Sequence, residues 1–167
     1  IQRSSATPIG AWTTTTPTAH YKKRPKKKII DIIAAHSIPY IASASVAYPE
    51  DLIRKFQKAR EIKGTRFIHV FAPCPTGWKL PPERSVEMAR LAVTSRIFPL
   101  LEVTDEGRTW KVWKDFEPTP VRDYLKAQGR FKHLSDEEIA WVEREVEKYW
   151  QDLLNREKAS ASLPGLE

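Results

Sequence analysis

The one cysteine of the sequence, Cys74, stands in the string FAPCPTGW at 71–78, directly after an apolar run and between two prolines. Three kinds of chemistry compete for it. A free cysteine is often buried as a small hydrophobe. A nucleophilic cysteine needs loop amides and a nearby cation to hold its thiolate. Here Pro75 removes one amide, and Leu80 occupies the place where a loop-closing arginine would fall. A metal or cluster ligand is the third reading. One thiolate holds neither zinc nor an iron–sulfur cluster unaided, so this reading requires three more ligands from outside the chain. The prolines set two backbone φ angles around the sulfur, and Thr76-Gly77 can fold into a turn whose N–H groups face a negative charge.

Other residues with chemical potential have plainer readings. The run YKKRPKKK at 21–28 carries six cations, and without them the net charge of +7 would nearly vanish. Such a run is expected first as a solvated loop and helix start, and second as a site for nucleic acid or an acidic partner. The aromatic interleaving of nucleic-acid modules is absent, so that partner is not expected. His69, on an apolar strand, reads as a hydrogen-bonded core histidine rather than a proton shuttle. His36 falls at a helix end, where its charge suits the dipole. Trp12 and Trp78 are core or interface residues, or neighbours of a cofactor.

The elements that must position these residues follow from hydrophobic periodicity. Residues 26–36 (KKKIIDIIAAH) have helical spacing, and 38–46 (IPYIASASV) form a buried strand. A helix over 48–62 begins with Pro49 and two acids, and Leu52, Phe56 and Ala59 make its apolar stripe. A second strand, 65–73, is apolar on both faces. A helix over 81–97 turns Val86, Ala89, Val93 and Ile97 to one side, and a third strand covers 98–103. Apolar strands alternating with helices imply an α/β fold with a parallel sheet covered by helices. Cys74 then lies at the carboxyl end of a strand, the edge where open α/β sheets bind ligands.

Beyond residue 104 the pattern changes. Asp105-Glu106-Gly107 predicts the turn of an edge hairpin, Pro118 and Pro120 a linker, and Gly129 the end of a short helix over 121–128. Ser135 and Glu138 form a capping box, with Leu134 and Ile139 as the hydrophobic staple. Ile139, Val142, Val146, Trp150 and Leu153 trace one face of the last helix, which covers either this domain or a partner subunit. The four threonines at 13–16 suit a short strand, and ASASLPGLE at 159–167 a frayed end.

With 167 residues and 41% hydrophobic content, the chain can bury one real core. One cysteine excludes an internal disulfide framework and suits a reducing cytoplasm. No apolar stretch is long enough for a membrane helix, so no membrane partner is expected. The first residue is Ile1, and IQRSSATPIGAW opens with no helix or strand signal, which points to part of a longer polypeptide.

Several linked strings carry a family resemblance. ATPIGAWTTTTPT, IPYIASASVAYPEDLIRK, FIHVFAPCPTGW, EMARLAVTSRIFPLLEV and YLKAQGRFKHL resemble, in order, the β subunit of archaeal- and bacterial-type pyruvate:ferredoxin oxidoreductase (pyruvate synthase). The resemblance implies the C-terminal part of a thiamine-diphosphate-binding fold, with residues 1–115 in that domain and 116–167 as a C-terminal helical extension. It implies an oxidoreductase that converts a 2-oxoacid, coenzyme A and oxidised ferredoxin to an acyl-CoA, CO2 and reduced ferredoxin. Its cofactors are thiamine diphosphate, Mg2+ and [4Fe-4S] clusters, and its partners include subunits of the α, γ and δ type. The branched-chain 2-oxoacid enzymes share the same strings. Cys74 matches the last of four cysteine ligands of the cluster nearest the thiamine. Gln2, Ser4 and Thr7 match residues bordering the thiamine pocket, although Ser and Thr beside Pro are also ordinary turn formers. The diphosphate and Mg2+ motif of the family precedes the segment aligned with Ile1, so these 167 residues alone are expected to be inactive. Ala19 departs from the glycine expected there. The basic run would face ferredoxin or the diphosphate of coenzyme A if it is not simply solvated.

Overall fold

A computed structural model of the chain describes residues 7–12 and 20–162. The predicted strand in the threonine run and the chain's last five residues lie outside them. Strand β1 (Tyr40–Ser45) is buried along its whole length and forms the centre of a four-stranded sheet ordered β2-β1-β3-β4. Two serines, Ser43 and Ser45, are buried among its apolar side chains; the Ser45 hydroxyl accepts from the Ala47 amide (3.3 Å), and Ser43 reaches across the sheet. The Ser43 hydroxyl donates to the Pro99 carbonyl (2.7 Å) and accepts from the Leu101 amide (2.9 Å), tying in the strand that follows.

The sheet is mixed rather than wholly parallel. Strand β2 (Arg66–Phe71) runs parallel to β1, whereas β3 (Leu101–Thr104) pairs antiparallel with β1, and β4 (Thr109–Val112) antiparallel with β3. The β1–β2 pair is parallel because helix α2 (Pro49–Glu61) crosses between them. The β3–β4 pair is the predicted edge hairpin, turning at Asp105–Gly107. A second correction concerns β2. It is an edge strand of half-buried and exposed residues among the described elements, not one buried on both faces.

Helix α1 (Ile29–Ala34) is shorter than predicted, and His36 lies in the turn after it, where its amide donates to the Ile33 carbonyl. In α2 the buried positions are Lys55 and Ala59, while Phe56 is exposed. Lys55 is tolerated inside because its Nζ donates to the Ser43 carbonyl and to Asp51, each at 2.7 Å. After β2 comes a single helical turn, α3 (Pro75–Trp78). A 3-10 turn at Pro82–Arg84 leads into α4 (Ser85–Thr94), which buries Met88, Ala89, Ala92 and Val93 and turns Val86 outward.

Helix α5 (Val121–Lys126) stops before Gly129, which opens a 3-10 turn of its own at Gly129–Phe131. Helix α6 (Asp136–Ala161) begins with the predicted capping box, both halves present. Its surface is this chain's own. Trp150 and Leu153 enter the core with Ile41, Val103 and Val112. Two α6 side chains also cap the outer edge of β4: Glu157 accepts from the Val112 amide (2.9 Å) and Ser160 from the Trp110 amide (3.1 Å). A second cluster, around Met88, Val93, Leu100, Tyr124, Phe131 and Ile139, joins α4, α5 and the start of α6.

Candidate functional site

The parallel strand β2 delivers the chain to Cys74. Pro73 and Pro75 bracket it, and Cys74 keeps an extended backbone (φ −112, ψ 95) as the residue that starts α3. Its carbonyl accepts from the Trp78 amide at 2.9 Å, so the thiol and the indole belong to one closed turn. Cys74 is a free, exposed cysteine, which removes the buried structural reading. Its sulfur lies over Gly77, where a Cβ would come within 3.1 Å of Sγ. Any larger residue at 77 would crowd the sulfur.

The ring of Trp78 carries a buried cation. The guanidinium carbon of Arg130 sits 3.8 Å from the indole centroid, in the stacked geometry that suits this side chain. Arg130 is 3% exposed. Its Nε donates to Gln128 Oε1 (2.7 Å) and its Nη2 to the Tyr124 hydroxyl (3.1 Å). Gln128 in turn donates to the Tyr124 carbonyl at 2.7 Å. Burial pushes the guanidinium below its ordinary value, while Tyr124 and the charge of Cys74 work to hold it up.

The backbone around Arg130 is tied to the thiol's turn. The Gly129 amide donates to the Lys79 carbonyl (3.1 Å), and the Arg130 carbonyl accepts from the Trp12 amide (2.8 Å). A Cβ on Gly129 would fall 2.6 Å from the Lys79 Cβ, so this glycine serves a close approach rather than a helix end. The Lys79 ammonium covers the Trp12 ring at 3.5 Å.

More positive charge gathers beside it. Lys22 is buried and its Nζ donates to the Thr7 carbonyl. Lys26 is half-buried with its Nζ 5.3 Å from the Phe98 ring centroid. Burial, then Arg130, then Lys22 push the Lys26 amine down to about 8. Burial and the Lys26 charge push His69 down to about 4, so it is neutral at pH 7. His69 packs edge-on to Phe98, with ring centroids 5.0 Å apart. The basic run is therefore not one solvated face, because two of its six cations turn inward.

Of the sequence-predicted site residues, Cys74 and Thr7 fall within the described region; Gln2 and Ser4 lie outside it. Thr7 is buried. Arg130 escaped sequence reasoning. It occurs within the string YLKAQGRFKHL, but an arginine between glycine and phenylalanine carries no signal of burial. Among the described residues no group of three or more His, Cys, Asp or Glu side chains is arranged to hold a metal ion. The region can supply one thiolate, several fixed cations and an aromatic wall.

Comparison with known proteins decides what this region belongs to. The chain is 52% identical over 159 residues to the ketoisovalerate oxidoreductase subunit VorB of Pyrococcus furiosus, covering 92% of this chain and 50% of the relative. It is 47% identical over 151 residues to the pyruvate synthase subunit PorB of Methanocaldococcus jannaschii, covering 89% and 50%. Over 158 residues it is 44% identical to PorB of Methanothermobacter marburgensis, covering 92% and 54%. This chain is homologous to half of a 2-oxoacid:ferredoxin oxidoreductase β subunit. It spans about half the length of the curated relatives it matches. No family model matches it. The order of strings that suggested the 2-oxoacid:ferredoxin oxidoreductases therefore reflects relatedness along nearly the whole chain. No described helix is long and apolar enough to cross a membrane.

Proposed function

We propose that this chain contributes Cys74 as one thiolate ligand of a [4Fe-4S] cluster in the β subunit of a thiamine-dependent 2-oxoacid:ferredoxin oxidoreductase. The overall reaction is pyruvate, coenzyme A and oxidised ferredoxin going to acetyl-CoA, CO2 and reduced ferredoxin. The observation that carries the proposal is the placement of Cys74. It is an exposed lone thiol at the carboxyl end of a parallel strand, over a glycine that leaves its sulfur room. That donor fits one corner of a cluster and nothing more, so the other three thiolates come from outside these 167 residues. When bound, thiamine diphosphate with Mg2+ supplies the decarboxylation chemistry and the cluster accepts electrons singly.

This chain's own residues do the positioning. Pro73 and Pro75 limit how the thiolate can swing, and the closed turn to Trp78 fixes its height above the sheet. Residues 1–115 are proposed as part of the thiamine-binding domain and 116–167 as its helical extension, with Thr7, Ser4 and Gln2 at the border of the thiamine pocket. Partner subunits of the α, γ and δ type complete the enzyme, in the cytoplasm where coenzyme A and ferredoxin are available. The 167 residues alone are proposed to be inactive.

The test is Cys74→Ser in the full-length subunit assembled with its partners. Iron content is expected to fall by one cluster's worth while the circular dichroism spectrum is kept; unchanged iron and an unchanged cluster spectrum reject the ligand role. A branched-chain substrate is the second reading, because VorB subunits as well as PorB subunits match the chain. The ratio of kcat/KM for pyruvate to that for 2-ketoisovalerate separates the two.

A further inference from the structure

The strongest unexplained feature of the molecule is the buried charge of Arg130, which meets no acid among the described residues. Arg130 is 3% exposed, and none of the ion pairs among the described residues includes it. Its partners are a phenol and a carboxamide, both neutral. A guanidinium does not shed its proton in a protein, so it cannot escape the cost of burial by neutralising. Buried charges are ordinarily paired. Lys26, the next cation, also lacks a carboxylate partner among the described residues. Two like charges brought together in this way repel one another unless an anion stands between or beside them.

The thiol of Cys74 is near enough for its charge to act on the Arg130 cation. Arg130 lies on Trp78, the last residue of the turn that Cys74 starts. The segment carrying it is bonded to Lys79, the next residue in the chain. Thiol and guanidinium are thus fixed to the same small piece of backbone. Aromatic stacking, the two side-chain hydrogen bonds and the tight Gly129–Lys79 contact hold the cation in place before any ligand arrives. A four-thiolate iron–sulfur cluster is an anion, and it becomes more negative with each electron it takes.

We propose that Arg130, seconded by Lys26, is the fixed counter-charge of the cluster that Cys74 ligates and holds its reduction potential up. This rests on the ligand role proposed above. The step is a one-electron reduction, with the electron supplied by 2-oxoacid oxidation and later taken by ferredoxin. Arg130 gains and loses nothing in it. Its charge stabilises the reduced cluster more than the oxidised one, because a charge in a dry site is poorly screened.

The experiment is an EPR-monitored redox titration of the full-length subunit assembled with its partner subunits, comparing Arg130→Gln, Arg130→Lys and Lys26→Gln with the parent. Arg130→Gln is expected to keep its iron and to make reduction about tenfold less favourable, which is about 59 mV more negative for a one-electron couple. Arg130→Lys, which keeps the charge, is expected to recover more than half of that shift. An unchanged midpoint in Arg130→Gln with full iron overturns the proposal. Should Arg130→Gln fail to assemble, Lys26→Gln decides: its midpoint must move in the same direction by less, and an unmoved midpoint overturns the proposal. Cys74→Ser in the same preparation separates the two ideas. If it keeps its iron, the ligand role itself falls; if it loses iron while the cation variants leave the midpoint unmoved, only the counter-charge role falls.

Discussion

The two edges of the sheet are finished in opposite ways. At β4, helix α6 closes the edge: Glu157 and Ser160 accept the outward amides of Val112 and Trp110, and Trp150 and Leu153 fill the space behind. At β2 nothing among the described residues pairs the outer edge, Val70 is 37% exposed, and Val46 at the adjoining end of β1 is 40% exposed. Unpaired, apolar edges are a liability that finished domains cover. The difference separates an edge that this chain covers with its own helix from one that the described residues leave open. Cys74 lies just beyond the end of the open strand.

The largest expected effect tests that asymmetry directly. Leu153→Ala, at a fully buried position on the closed side, should cost about 2–5 kcal/mol in urea unfolding. Val70→Thr on the open edge should change stability by only about 0.5 kcal/mol. Equal losses at the two positions would break the comparison.

Acid probes the middle of the sheet, which both sides share. Glu102 on β3 accepts from Arg54 (2.7 Å), Lys58 (2.7 Å) and Tyr40 (3.0 Å), linking α2 to the strands. Burial pushes its carboxyl up, but the bonds from Lys58, Arg54 and Tyr40 overcome this and hold it at about 2. A carboxyl held below its ordinary value stabilises the fold fully above about pH 4.5, and that stability drains as the pH falls toward 2. Because Arg54 and Lys58 are half-exposed, the loss should be no more than about 2–3 kcal/mol. Glu102→Gln should flatten this part of the pH–stability curve; an unaltered curve would remove the network from the account.

The smallest stability effect belongs to the open side. Gly77→Ala should leave unfolding within about 0.5 kcal/mol, since alanine suits a helical turn. Yet its Cβ would stand 3.1 Å from Sγ. The rate of Cys74 modification by a disulfide reagent should therefore fall, as should iron uptake by the full-length subunit. Unchanged thiol reactivity would show that the glycine is indifferent to the sulfur.

Local signals explain why some of this was legible in advance. The capping box at Ser135 and Glu138, the Pro49 helix start and the Asp105–Gly107 turn depend on neighbours in sequence, and all three formed as expected. Strand direction was not legible. An apolar run reads alike in a parallel or an antiparallel neighbour, so the third strand was assigned to the wrong kind of pairing. The inward face of α2 was misjudged because Lys55 is charged; its burial depends on a carbonyl twelve residues earlier and on Asp51. The basic run hid two inward cations for the same reason.

From the residues alone came the helices, the strands, the lone thiol in its proline frame and the kinship of the strings around it. These follow from short-range periodicity, turn chemistry and matching of linear motifs. Tertiary structure alone decided that Arg130 lies on Trp78 beside Cys74 and that two lysines turn inward to join it. Positions 52 and more residues apart meet only through packing, and the cost of burying a charge exists only once a fold has removed the water.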